Sequence, residues 1–209
     1  MAKIVDPTRL ALGAGLAVAL AMTGCSASGP SADRCSSVPA QLVDIPTRTD
    51  QEPKMRIPLP QGWERTTKMD SESIRFAIRN PALAADGFTP NAVVTLQKVG
   101  SDVGKSEKVL EAQNDQLAKK LKLKDMKTSP GELCGAPALS ATYTAPEVKL
   151  SPKVPPIPPR KASSLSSVYK GPDVNYIVMV TVQTIKPDNQ TFNADSAMIL
   201  KGFQLLPPG

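Results

Sequence analysis

The chain contains no histidine among its 209 residues. That absence excludes Ser-His-Asp and Cys-His nucleophiles, histidine-based acid–base chemistry and the usual zinc sites. Aromatic residues are scarce: one Trp, three Tyr and four Phe leave few platforms on which bases or sugars stack. The acidic residues stand singly, with neither calcium-loop spacing nor a paired-carboxylate motif. No apolar run reaches the roughly 20 helical residues that span a bilayer. An ordinary soluble enzyme fits this composition poorly. We expect a protein without catalytic residues, metal or cofactor.

Proline is abundant instead, at 21 residues, too many for a helical bundle. The chain is also basic. Of 25 basic and 19 acidic side chains, Lys3, Arg9 and Asp6 fall in the first 24 positions. The rest carries 23 basic against 18 acidic groups, a formal +5. Such a charge favours anionic surfaces without implying nucleic acid.

The first 25 residues carry the clearest signal. Lys3 and Arg9 form a positive start, and Leu10 to Met22 is a 13-residue apolar run, the length of a signal-peptide core. Met22-Thr23-Gly24-Cys25 follows, then a polar stretch. Small residues directly ahead of a cysteine resemble the lipobox of bacterial lipoproteins, although Met22 stands where leucine is usual. The resemblance implies that residues 1–24 are a lipoprotein signal peptide and that Cys25 becomes a diacylglyceryl cysteine carrying further acyl chains such as palmitate. The alternative is a secretory signal with a coincidental cysteine. Each buried methylene contributes about 0.8 kcal/mol, so two or three chains hold a protein at a membrane where one does not. We therefore expect a protein anchored to the extracytoplasmic face of the cell membrane.

Export also bears on Cys35 and Cys134. Outside the cytosol an even pair more often bridges than stays free, so a Cys35–Cys134 disulfide is expected, with two buried thiols as the alternative.

The remaining chain reads as one domain over 54–209, behind a lipidated N-terminus and tether over 25–53. Residues 26–33 are a flexible spacer, and Cys35 to Pro53 reads as irregular. Arg56 to Pro60 reads as a short edge strand, since proline is confined to strand edges and starts. Ile74, Phe76 and Ile78 alternate with Arg75, Ala77 and Arg79, a half-buried strand. A loop over 80–90 and a strand over 92–99 follow. Leu110, Leu117 and Leu121 at helical spacing predict an amphipathic helix over 106–121. Ser106 is its expected N-cap, and a lysine-rich turn its end.

Further strands are expected over 138–144 and around 165–169. Val174, Tyr176, Val178, Val180 and Val182 form the longest alternating run, so that strand should be central. A short helix over 193–200 closes with Gly202 in its left-handed terminal position, and Phe203 to Leu205 is a last strand. Strands in hairpin-like succession with two helices make an α+β fold built on an antiparallel β-sheet flanked by helices.

Several features imitate chemistry. Gly100 to Ser106 has three residues between its glycines where a phosphate loop needs four, so it reads as a strand–helix connector. Lys119, Lys120, Lys122, Lys124 and Lys127 either meet anionic lipid head groups or complement the helix C-terminus. Residues 146–160, with six prolines, favour extended polyproline conformation. They form either a docking ridge or a rigid loop.

The chain resembles the mycobacterial LpqN/LpqT-like lipoproteins. The likeness rests on the lipobox, the Ile57-Pro58-Leu59-Pro60-Gln61-Gly62-Trp63 run, Pro90 to Val99, Leu133-Cys-Gly135-Ala-Pro137, Tyr143, the strand at Tyr176 and Gly202-Phe203. It covers about residues 54–206. The cysteine pair and the proline-rich stretch depart from the family pattern. The resemblance implies a PsbP/Mog1-like fold without catalytic residues, and an envelope accessory role in which members bind trehalose-type glycolipids and contact large envelope transporters.

Three classes of function remain: a lipid-anchored module that binds an amphiphile, a structural or protein–protein envelope module, and an enzyme. An apolar slot lined by several aromatics favours the first, and a filled core with an exposed apolar patch the second. Phe76, Tyr176 and Phe203 read as core. Trp63, expected near a surface edge with a solvated N–H, and Phe88, in a loop free to move, are the candidate ligand contacts. Cys25→Ser should leave an unprocessed or soluble protein that takes up no radiolabelled acyl chain; normal labelling and membrane partitioning of the variant would contradict the lipobox assignment.

Overall fold

In chain order the elements are β1 (Gln41–Ile45), β2 (Lys54–Leu59), β3 (Glu64–Arg65), β4 (Ile74–Arg79), β5 (Asn91–Val99), α1 (Ser106–Leu121), β6 (Lys124–Leu133), β7 (Ala136–Ala145), β8 (Arg160–Lys170), β9 (Asn175–Thr184), α2 (Gln190–Gly202) and β10 (Gln204–Leu206). The computed structural model describes residues 30–102, 104–149 and 155–209. The leader, Cys25, the first half of the spacer and part of the proline-rich stretch lie outside them.

Two antiparallel sheets result. One has seven strands in the order β3-β4-β5-β9-β8-β7-β6, and the other three in the order β1-β2-β10. The long alternating run becomes β9, the middle strand of seven. Val178, Val180 and Val182 are wholly buried on one face, while Ile177 is buried on the other; successive strand residues point to opposite faces. The valine face meets α2 and the three-stranded sheet in one core that includes Met55, Ile57, Phe76, Ile78, Val94, Ile199, Phe203 and Leu205. The opposite face carries a smaller cluster, in which Leu110 of α1 packs on Leu139, Val168 and Ile177. Each fully buried side chain of this kind contributes about 1.5–3 kcal/mol.

Several elements differ from the sequence reading. Residues 41–45, read as irregular, form β1 and pair with β2 from Gln41↔Leu59 to Ile45↔Met55. β2 is therefore the middle strand of its sheet and not an edge. Pro58 is tolerated because β10 pairs only with Lys54, Met55 and Arg56, which leaves one flank of the strand open at the proline. β6 has no alternation to announce it, since Leu133 is its only buried residue. It runs along the outer edge of the large sheet, where Pro130 and exposed lysines are at home. Lys124 and Lys127 thus lie on a strand, and Lys122 in left-handed conformation (φ 51°) ends α1.

Ser106 is the first helical residue and not the cap, a position held by Lys105 without a side-chain bond. α2 begins earlier than expected because the Asn189 side chain accepts the Phe192 N–H at 2.8 Å. Gly202 is helical, not left-handed; a Cβ there would collide with Val38 and Pro58, so close approach of the chain explains the glycine.

Cys35 and Cys134 are bridged across a separation of 99 residues. The Ser31 N–H donates to the Cys134 carbonyl at 3.0 Å and residues Ala32–Arg34 form a short 3-10 turn, so the end of the stretch read as a flexible spacer is tied to the β6–β7 turn. A loop of that length is worth about 4–5 kcal/mol in the chain-entropy account. Replacing both cysteines with alanine should lower unfolding stability in urea by about 4 kcal/mol; an unchanged midpoint would show that the bridge does not restrain the unfolded chain.

Candidate functional site

The second face of the large sheet holds the candidate site. α1 packs on β7 and β8 and touches β6 lightly, so it covers one side of that face only. Between α1, the second half of β5, the start of β4 and the 49–52 segment lies a cleft of about 780 Å³. Smaller clefts of about 290, 470 and 570 Å³ lie beside α2, around Cys134 and on the small sheet.

The cleft is built from the chain upward. The pairing of β4 with β5 slips between Ile74 and Phe76. Arg75 is therefore the extra residue of a bulge, a device that re-aims a side chain. Its Nη2 donates to Glu52 Oε1 at 2.5 Å, and the two side chains are 9% and 5% exposed. Glu52 also accepts the Arg48 N–H at 2.8 Å. The Arg48 guanidinium in turn donates to the carbonyls of Glu72 and Ser71 at 3.1 and 2.7 Å. These bonds hold the 48–52 segment against the start of β4.

The opposite wall is α1, which presents Gln113, Leu117 and Lys120 at helical spacing. Met179 of β9 adds apolar surface, and Thr95 and Gln97 of β5 polar surface. Among the described residues, Arg75 Nε and Nη1, Gln113 Oε1 and Asn114 Nδ2 are buried without a hydrogen-bond partner. Native folds hold few such atoms, and each costs about 1–3 kcal/mol.

Trp63 and Phe88 line none of these clefts. Gly62 (φ 84°) turns the chain so that the Trp63 N–H reaches the Pro60 carbonyl at 3.1 Å. The indole is then carried inward, to 5% exposure. Its Nε1–H, expected to be solvated at a surface edge, instead donates to Asp195 Oδ2 of α2 at 2.8 Å in the interior. Phe88 is held in a tight turn by reciprocal bonds with Ala85 of 2.9 and 2.8 Å. Asp86 and Gly87 at positive φ give the turn the twist of a two-residue hairpin, and the ring is buried. Phe76, Tyr176 and Phe203 sit in the main core. The aromatics close the fold, and Tyr176 alone among them borders this cleft.

Other clusters are structural. Burial pushes the Tyr143 hydroxyl above its ordinary value, against hydrogen bonds with Thr181 and Ser164. Burial also lowers Arg160, which donates to Gln183 at 2.6 Å and to the Pro146 carbonyl at 3.4 Å. That arginine fixes both ends of the proline-rich stretch. Lys119, Lys120, Lys122, Lys124 and Lys127 are exposed. Among the described residues no helix is long and apolar enough to cross a membrane. Sequence reasoning missed Arg75, Glu52 and Gln113; the one available signal was an arginine within the alternating run of β4.

An α+β domain of two antiparallel sheets, with one face half covered by a helix, defines the class. Residues 36–206 match the family described as probable lipoprotein LpqN, and the chain belongs to that family. Among solved structures it is similar to the crystal structure of LpqN of Mycobacterium tuberculosis, described as involved in cell envelope biogenesis. The identity is 16% and the TM-score 0.59, covering 81% of this chain and 93% of that one. This likeness shows the fold. A Bacteroides thetaiotaomicron protein overlaps more loosely, with 14% identity and a TM-score of 0.38 over 72% of this chain and 44% of that one. A search of curated proteins finds no match.

Proposed function

We propose that this protein is a non-catalytic lipoprotein of the cell envelope, anchored through Cys25 to the extracytoplasmic face of the membrane, whose α1 cleft binds an amphiphile such as a trehalose-type glycolipid. In this reading it assists envelope lipid transport or assembly and exchanges its ligand with a large envelope transporter. The observation that carries the reading is the division of the cleft wall. Leu117 and Met179 offer apolar surface to an acyl chain, while Ser73, Thr95 and Gln97 offer polar atoms to a head group, in front of the buried Arg75–Glu52 pair. Ligand sites combine apolar walls with a few convergent polar groups in this way, and about 780 Å³ lies within the usual range of roughly 300–1,000 Å³. Membership of the LpqN family, and the envelope role attached to the M. tuberculosis protein, support the setting.

Native mass spectrometry on protein purified from envelope should show a co-purifying lipid adduct. Trehalose monoesters added to the delipidated protein should restore a 1:1 adduct, and free trehalose should not. Bare protein under both conditions would favour a protein–protein envelope module without a small-molecule ligand.

A further inference from the structure

The apolar stripe of α1 outruns the sheet beneath it. Leu110 is buried against β7, β8 and β9, and Leu117 is half-buried. Leu121, the last helical residue, is 51% exposed, the one large hydrophobic side chain so exposed among the described residues. It is set among five lysines, Lys119, Lys120, Lys122, Lys124 and Lys127, all exposed. Among the described residues none of the five makes an ion pair. The acid inside the stretch, Asp125, is engaged by Lys161 at 3.9 Å and by the Thr144 hydroxyl at 3.3 Å.

Two structural duties account for this corner in part. Lys119 and Lys120 lie in the last turn of α1 and suit its negative end, an effect that fades beyond that turn. Lys124 and Lys127 lie on β6, where charge on an edge strand discourages pairing with another chain. Neither duty calls for an exposed leucine among the lysines. A lone surface leucine is ordinary; an apolar tip among unpaired cations is the composition of a segment that rests in an anionic lipid interface. Lysine is a flexible point charge, suited to a fluid array of phosphates, whereas fixed carboxylates on a protein favour the planar fork of arginine.

We propose that the α1–β6 corner docks on the surface of an anionic bilayer, with Leu121 entering the head-group region and the lysines meeting lipid phosphates. The orientation that follows rests on the Cys25 anchor. The far end of β6 is the β6–β7 turn, where the Ser31 N–H meets the Cys134 carbonyl and the disulfide fastens the incoming chain. Cys25 precedes Ser31 by six residues, a reach of at most about 20 Å. Ten strand residues at about 3.3 Å each separate that turn from the corner. Lipid at one end and lysines at the other lay the β6 edge along the membrane. Lys120 also borders the α1 cleft, so docking brings that end of the cleft to the bilayer surface.

The test uses the lipoprotein purified from envelope and incorporated into vesicles of phosphatidylcholine, alone or mixed with phosphatidylglycerol. Vesicle flotation reads attachment, and acetylation by a water-soluble ester, mapped by mass spectrometry, reads the exposure of each lysine. On the mixed vesicles the five corner lysines should react at least about fivefold more slowly than on phosphatidylcholine alone. Lys68, beyond β3 at the opposite edge of the sheet, should react equally on both. Lys124→Gln with Lys127→Gln weakens docking about thirtyfold, at about fivefold per charge, and should return Lys119 and Lys120 to their rate on phosphatidylcholine. Leu121→Ser should return part of it. Both variants should keep the wild-type melting temperature, since none of these side chains is buried. Flotation on both vesicles with equal lysine rates overturns the docking while the anchor stands. Flotation on the mixed vesicles alone, with the corner protected, supports the docking and removes the anchor; flotation on neither removes both. Protection by added polyglutamate, with none on phosphatidylglycerol, assigns the corner to an acidic protein surface and overturns the proposal.

Discussion

One helix cannot cover a seven-stranded sheet. Strands lie about 4.8 Å apart, so seven of them span roughly 29 Å, whereas a helix with its side chains is about 10–12 Å wide. The valine face of the large sheet escapes this limit because α2 and the three-stranded sheet share the work. The other face has α1 alone, laid over β7 and β8. The uncovered strip beside it is where β5 turns polar, with Thr95 and Gln97, and where the β4 bulge delivers Arg75. The cleft follows from this shortfall of cover.

The well-covered face supplies the rigidity that such a cleft needs. Trp63 ties the turn after β2 to α2 through Asp195, and the absence of a Cβ at Gly202 lets the end of α2 lie against Val38 and Pro58. The disulfide fastens the incoming chain to the β6–β7 turn. Together these contacts tie the Ile57 to Trp63 run, Leu133 to Gly135 and Gly202-Phe203 to one packed layer. The residues that carry the family likeness are thus mainly residues of the core, and they say little about what the protein binds.

Legibility in the sequence divided along the same line. β9 and α1 were readable because burial on a definite face imposes period 2 or period 3.6 on the residues. β6 was not readable, because a solvent-exposed edge strand imposes almost no apolar pattern. β1 was hidden in a proline-flanked stretch whose pairing with β2 is a tertiary event. Trp63 misled because a Pro-Gln-Gly turn suggests a surface, and only the fold brings Asp195, 132 positions away, to its N–H. Arg75 looked like the solvent-facing partner of Phe76; a bulge and a distant Glu52 make it buried. The core left its periodicity in the sequence, whereas the cleft depends on register and long-range partners that leave none.

The most direct test of the cleft as the ligand site is a chemical-shift titration by two-dimensional NMR with octyl glucoside. Shifts should gather on Thr95, Gln97, Gln113, Leu117 and Met179, with the Trp63 indole resonance unmoved. Shifts confined to α2 and the Trp63 indole, with α1 silent, would contradict the account.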